Sequence, residues 1–287
     1  MAEEVTITEK SIIPQVLYER IALHPNQIAL IEGNDRVTYA EFGEQVKKMA
    51  AVLRGLGIQP GEKVGILLPN SIRFTVVAYA VFHIGGVVVA VNPTYKTNEI
   101  KHLLNDSEVV AAIIAEKFPG SDPLGKFNEI RSELPHLRYA ILDGQRTGDF
   151  SNLDELLAVA EATDEYYQSD PSDLAALMYT SGTTGQPKGS MHTHRTMLFP
   201  LTINMIKRPS FVQMFLMIKR YGFNYLKRLL KVFGKPITIM VTTPPYAGAG
   251  LVGTINFILG DRTSVLMDRF STSEAIRLIE KEKINIF

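Results

Sequence analysis

Residues 179–189 read Tyr-Thr-Ser-Gly-Thr-Thr-Gly-Gln-Pro-Lys-Gly, a run of groups suited to holding an anion. Gly182, Gly185 and Gly189 permit backbone shapes in which successive amides point one way and form a nest for negative charge. Thr180, Ser181, Thr183 and Thr184 add hydroxyl donors, and Lys188 supplies a point charge suited to a polyphosphate. Pro187 restricts its neighbour and stiffens the approach to the lysine. The bland alternative is a flexible Gly/Ser/Thr connector. A Walker-type phosphate loop needs glycine immediately before its lysine, and Pro187 stands there instead, which argues against an ordinary P-loop NTPase.

Two other constellations carry chemistry. Gly248-Ala249-Gly250-Leu251-Val252-Gly253 matches G-x-G-x-x-G, and Asp268 follows at about the spacing of a ribose-binding acid. A nicotinamide-dependent oxidoreductase is therefore a competing reading. Against it, residues 243–247, with two prolines, separate the expected strand from the first glycine. Glycines that let a helix pack closely explain the same pattern. His192 and His194 form an H-x-H pair, but no carboxylate lies nearby in sequence to complete a metal site, so no metal is assigned. His24, His83, His102 and His136 are read as structural or solvated. The chain has no cysteine, which excludes disulfides, thiolate zinc sites and a cysteine nucleophile.

From Gly189 to Gly260 there is no acidic residue. Within this stretch Lys207, Arg208, Lys219, Arg220, Lys227, Arg228, Lys231 and Lys235 interleave with Phe211, Phe215, Phe223, Tyr225, Leu229, Leu230 and Phe233. One reading is a solvated helix with a core face. The other is a basic amphipathic helix in peripheral contact with an anionic membrane through 207–235. A nucleic-acid partner is not expected, because no nucleic-acid module accompanies the charge and Lys plus Arg balances Asp plus Glu at 30 each.

The elements that must position these groups are those of an α/β fold. Strands are expected at 28–31, 64–68, 87–91, 109–115, 139–142, 174–179, 237–242, 263–267 and 284–287. Several are continuously apolar, as when helices cover both faces of a largely parallel sheet. Thr38-Tyr39-Ala40-Glu41 has capping-box spacing and opens a helix to about Leu56, where Gly57 provides a stop. Further helices are expected at 71–83, 97–105, 153–161, 250–259 and 273–282. The polar stretch 161–173 reads as either a boundary between lobes or a surface loop. With 46% hydrophobic and 21% charged residues the composition is that of a globular protein with a sizeable core. The acidic N-terminus lacks signal-peptide features, and no apolar stretch approaches the ~20 residues of a membrane span, so a cytoplasmic protein is expected.

The loop at 179–189 is similar, at every position, to the signature [YF]-T-S-G-[ST]-T-G-x-P-K-G of the adenylate-forming superfamily. That superfamily includes acyl-CoA synthetases, peptide-synthetase adenylation domains and firefly luciferases. The resemblance extends to Thr38–Phe42, to Leu68-Pro69-Asn70-Ser71, to 85–93 and to 270–283, and so spans nearly the whole chain. It is strongest toward long-chain fatty-acid–CoA ligases. It implies layered sheets like those of the family's large N-terminal domain, and a reaction in two halves. A carboxylate attacks the α-phosphorus of ATP to give acyl-adenylate and pyrophosphate, and coenzyme A then displaces AMP. ATP, Mg2+ and coenzyme A are the implied co-reactants, and a medium- or long-chain fatty acid the implied substrate; luciferase-like or aryl acids remain open. The resemblance assigns Thr180, Ser181, Gly182, Thr183, Thr184, Gly185 and Lys188 to ATP phosphates. It assigns Tyr246, Ala247, Gly248 and Gly250 to the border of the acyl and nucleotide pockets, with Ala247 where the family usually has histidine.

The family's acidic magnesium and adenine motif, ribose-binding aspartate, hinge and C-terminal-domain lysine have no match in these 287 residues. With the apolar stop at 284–287, this reads as a truncated N-terminal AMP-binding domain without its C-terminal cap. The expectation is a chain inactive or weakly active by itself, its catalytic residues lying elsewhere. The alternative is a non-catalytic nucleotide- or lipid-binding fragment. Oligomeric state is left open.

Overall fold

The structure is a computed structural model that describes residues 5–145, 150–180, 187–202, 216, 219–220 and 237–286. These residues carry two sheets. Their strands are β1 (Ile28–Glu32), β2 (Asp35–Thr38), β3 (Lys63–Leu67), β4 (Val87–Ala90), β5 (Val109–Ala115), β6 (Tyr139–Asp143), β7 (Ser151–Asn152), β8 (Leu174–Thr180), β9 (Lys188–Thr193), β10 (Thr238–Val241) and β11 (Thr263–Leu266). The larger sheet has the order β7-β6-β5-β3-β4-β8-β9 and is parallel except for the β8–β9 pair. The smaller has the order β10-β11-β1-β2, with only β1 and β2 antiparallel.

The helices are α1 (Ile13–Leu23), α2 (Tyr39–Gly55), α3 (Ile72–His83), α4 (Thr97–Asp106), α5 (Pro123–Ile130), α6 (Leu153–Val159), α7 (His194–Thr202), α8 (Gly248–Leu259) and α9 (Thr272–Glu282). Helices cover both faces of the larger sheet, which explains its continuous apolar strands, whereas α9 packs on the smaller one. Along β5, Ala111, Ile113 and Ala115 enter one core, whereas Val109, Ala112 and Ile114 enter a second core on the opposite face. A side-chain period of two thus divides one apolar run between two cores. The capping box at α2 is present: Glu41 N–H donates to Thr38 Oγ1 at 3.2 Å and Thr38 N–H to Glu41 Oε2 at 2.8 Å. Leu56 caps the other end, and Gly57 turns the chain at φ +75°.

The two sheets are tied at the start of α3. The Asn70 amide donates to the carbonyls of Val241 and Met267, both at 3.0 Å, at the ends of β10 and just beyond β11. Glu32, the last residue of β1, accepts the Ile72 N–H at 2.7 Å. The tyrosine hydroxyls of Tyr79 and Tyr39 reach the carbonyls of Ile255 and Ile258, seating α8 between the sheets.

Residues 161–173 lie between α6 and β8, whose neighbouring strands β7 and β8 belong to the same sheet. This segment is strapped across α2 and α3. Arg54 donates to Thr163 Oγ1 and to the Glu165 carbonyl, and Tyr167 N–H to the His83 carbonyl. The strand expected at 284–287 is a single bridge, Ile286 to Ile239, with Ile284 and Ile286 only half-buried; Phe287 lies outside the described residues. Its apolar residues alternate with the exposed Asn285, and β10 offers it a short edge only.

Two buried histidines make a pH prediction. His83 Nε2–H donates to the Glu165 carbonyl at 2.8 Å, so Nδ1 accepts the Tyr18 hydroxyl at 2.6 Å. His194 Nδ1 accepts from Ile13 N–H at 3.4 Å. Burial, aided at His83 by the Arg54 charge, holds both imidazoles down at about 4. Between pH 6.5 and about 4 the unfolded chain binds protons on these rings that the folded chain does not. Stability therefore falls as pH drops, by at most about 1.4 kcal/mol per pH unit for each histidine. Glu32 and Asp143, raised by burial, act in the opposite sense, so the informative measurement is a comparison. Urea unfolding at pH 6.5 and 5 should show a flatter pH dependence in H83Q and H194Q than in the parent chain. Parallel profiles would refute the assignment.

Candidate functional site

The described part of the loop at 179–189 is its base. Thr180 ends β8 and Lys188 begins β9, and the two are register partners in the antiparallel pair, as are Tyr179 and Gly189. Directly opposed residues of an antiparallel pair project to the same face, with Cβ atoms roughly 5 Å apart. Thr180 and Lys188 therefore stand together on one face, both exposed. Ser181, Gly182, Thr183, Thr184 and Gly185 lie outside the described residues.

The same face receives the second predicted segment. Met178, two residues before Thr180, packs in the main core with Leu251 and Ile255 of α8. A Cβ placed on Gly248 would sit 3.4 Å from the Met178 sulfur, so the first turn of α8 rests on the strand that feeds the loop. Ala247 caps that helix by backbone alone, with its N–H bonded to the Pro244 carbonyl at 2.9 Å. Tyr246 packs half-buried against the main core, and burial raises its phenol. Of the four residues assigned to the pocket border, Gly248 is thus brought against Met178, two residues before Thr180, although about 70 positions separate them in sequence.

The glycines of the G-x-G-x-x-G pattern have another use. Six residues, 242–247, separate β10 from α8, and Gly248 is the first helical residue. A Cβ on Gly250 would come within 1.9 Å of the Pro244 carbonyl oxygen. Its hydrogen is needed because backbone crosses there. Asp268 lies exposed beyond β11.

The opposite face of the hairpin holds residues that sequence reading missed. Tyr179 Oη donates to Asp106 Oδ2 at 2.6 Å, and its phenol is raised first by burial and then by that bond. His102 Nε2 lies 3.2 Å from the Pro187 carbonyl, to which it donates. The available signal was the four-residue spacing of His102 and Asp106 on one helix. His192, whose ring burial holds its pKa down, lies 3.2 Å from Ser190 Oγ, whereas His194 points into the core and bonds to Ile13 N–H. Of the basic residues in 207–235, only Lys219 and Arg220 are described; both are exposed. Among the described residues no helix is long and apolar enough to cross a membrane.

An open cleft of about 350 Å³ lies at the carboxyl ends of β5 and β6, lined by Pro69, Glu116, Lys117, Asp143 and Gln145 among others.

Comparison with known proteins places these observations. A family profile described as "AMP-binding enzyme" matches residues 17–287. The chain is 30% identical over 216 residues to salicyl-AMP ligase / salicyl-S-ArCP synthetase of Mycobacterium tuberculosis, covering 73% of this chain and 38% of that protein. It is 28% identical over 202 residues to a long-chain-fatty-acid–CoA ligase of Escherichia coli, covering 63% and 36% respectively. The crystal structure of the anthranilate CoA ligase AuaEII in complex with anthranoyl-AMP superposes with a TM-score of 0.77 at 22% identity, over 98% of this chain and 50% of that one. The chain thus spans roughly two fifths of the curated relatives it matches. The layered α/β fold read from sequence is that of its structural neighbours.

Proposed function

We propose, since this chain belongs to the AMP-binding enzyme family, that its β8–β9 hairpin holds the phosphates of ATP for the activation of a carboxylic acid. The observation that carries this reading is the pairing of Thr180 with Lys188 on one face, with the first turn of α8 resting on Met178 of the same strand. A hydroxyl and an ammonium together on one face favour polyphosphate. Mg2+ is taken as part of the substrate, carried on the phosphates. The reaction would join a carboxylate oxygen to the α-phosphorus and release pyrophosphate. The acyl group would then pass to the thiol of coenzyme A, with AMP leaving. Neither step requires a nucleophilic side chain, and positioning and charge neutralisation would be the protein's part.

For the acid, a medium- or long-chain fatty acid is the first reading, supported by the similarity to the E. coli ligase. An aryl acid is the second, supported by the somewhat higher identity to the salicyl-AMP ligase. Ala247, small where the family usually has histidine, leaves room for either. The 287 residues span well under half of these relatives, so catalysis is assigned to the longer assembly of elements that the relatives possess. By itself the chain should bind the magnesium–ATP complex and turn it over slowly or not at all. A peripheral contact with anionic membrane through 207–235 accompanies the fatty-acid reading.

One set of measurements tests this. Calorimetric titration with magnesium–ATP should give saturable binding. Pyrophosphate release with octanoate, palmitate, salicylate and anthranilate should stay far below the ~10 s⁻¹ typical of enzymes. Absence of nucleotide binding would refute the phosphate reading. Release at enzyme-like rates would refute the weak-activity reading and identify the acid. Co-sedimentation with vesicles that is indifferent to anionic lipid would remove the membrane contact.

A further inference from the structure

The hairpin has two faces, and the one turned away from Thr180 and Lys188 makes its side-chain hydrogen bonds to α4. His102 and Asp106 lie one turn apart on the same side of α4. Asp106 accepts the Tyr179 hydroxyl, which belongs to β8, at 2.6 Å. His102 lies 3.2 Å from the carbonyl of Pro187, the residue entering β9. A carbonyl oxygen only accepts, so Nε2 carries the proton whatever the state of Nδ1. Each strand of the hairpin is therefore gripped by α4, and each grip falls on the residue next to a proposed phosphate contact: Tyr179 precedes Thr180, and Pro187 precedes Lys188.

The grips are built on a fixed base. Ile100, Leu103 and Leu104 bury the inner side of α4 in the second core, together with Leu177 and Tyr179 of β8. Asn105 donates to the Glu133 carbonyl at 3.2 Å, and Lys101 pairs with the Glu133 carboxylate. Across the hairpin, Gly189 lacks the side chain that would meet the Tyr179 ring; a Cβ there would lie 3.1 Å from the ring carbon bearing the hydroxyl. The ring is thus seated against β9 while its hydroxyl reaches α4. An acceptor that is ionised makes such a bond shorter and stronger than a neutral pair.

We propose that α4 is the positioning element of the phosphate loop, with Tyr179–Asp106 and His102–Pro187 setting the separation and tilt of Thr180 and Lys188. This rests on the phosphate-binding reading above. None of the named side chains need touch the ligand. They act through the backbone that carries the residues that do.

The test uses the whole 287-residue chain and magnesium tripolyphosphate as the probe, with thermal unfolding recorded for every variant. Tyr179→Phe keeps the ring and removes only the hydroxyl. It and Asp106→Ala should each weaken binding about 5- to 10-fold, the loss of one charge-assisted bond. The double variant should lose no more than either single, because both remove one interaction. Asp106→Asn, whose amide oxygen still accepts a hydroxyl, should recover most of the affinity. If Lys188→Ala abolishes binding while Tyr179→Phe and Asp106→Ala bind as the parent does, the positioning role is wrong and the phosphate reading stands. If affinity losses simply follow losses in unfolding temperature and Asp106→Asn restores nothing, the contacts are structural and the proposal is overturned. If the parent chain does not bind tripolyphosphate, and Lys188→Ala matches it, the phosphate reading fails and takes the proposal with it.

Discussion

Replacing Lys188 with alanine is expected to weaken binding of magnesium tripolyphosphate about 10- to 100-fold, with little change in the stability of the chain. Lys188 is exposed at the first position of β9, and among the described residues its ammonium makes no ion pair or hydrogen bond. Nothing in the described fold uses its charge, and an exposed substitution of that kind usually shifts stability by about 0.5 kcal/mol or less. Its register partner Thr180 places a hydroxyl on the same face, so the lysine stands beside a second candidate donor. Lys188→Arg retains the charge but exchanges a compact ammonium for a planar fork, and should recover part of the loss. Because the site is exposed, affinity should also fall with added salt, and the alanine variant should show a shallower salt dependence. A dissociation constant within twofold of the parent's would remove Lys188 from the phosphate site.

The second large effect separates two glycines three residues apart in the same pattern. Gly250→Ala should cost roughly 3 kcal/mol, the upper range for inserting a methyl group into a packed site. The new Cβ would meet Pro244 O at 1.9 Å, Pro244 C at 2.6 Å and Thr243 O at 2.9 Å, all of them backbone atoms. That backbone is held by the bonds Ala247 N–H to Pro244 O at 2.9 Å and Gly250 N–H to Ala247 O at 2.8 Å. Relief therefore requires moving the turn that carries Tyr246 and Ala247. Gly253→Ala meets only the Phe257 ring, at 3.5 Å, an ordinary contact. Alanine in mid-helix should there stabilise by about 0.5–1 kcal/mol. Urea unfolding of the two variants measures the difference directly. Equal effects would contradict the packing reading and return weight to a ligand-binding role for all the glycines of the pattern.

What sequence made legible followed from local rules strong enough to act alone. The capping box at Thr38 and Glu41, the glycine stop at Gly57 and the apolar run of β5 are each complete within a few residues, and each is where it was expected. β9 was missed because Lys188–Thr193 is mostly polar and exposed, with no alternation to mark an edge strand. α1 follows Ile12, which offers no capping side chain and leaves Pro14 in the first turn as its one start signal, and α7 contains Pro200, which speaks against a helix. The site divides in the same way. Thr180 and Lys188 were legible because a signature names them. The grip of α4 was not, because Asp106–Tyr179 and His102–Pro187 are contacts across 73 and 85 residues that only the sheet order β4-β8-β9 brings about.

The smaller sheet has a consequence for how the chain is made. β1 pairs with β11 through Leu30 and Ser264, so one of the earliest strands synthesised waits for one of the latest described. At ribosomal speeds of about 5–20 residues per second, that wait is on the order of tens of seconds. Over that interval the β1 edge of the β1–β2 hairpin is open, with Leu30 and Ile31 lacking the strand that later flanks them. An unpaired apolar edge is a template for wrong pairing. The nascent chain should therefore depend on chaperone protection during synthesis more than its finished fold would suggest, and slower translation of the middle third should increase that dependence.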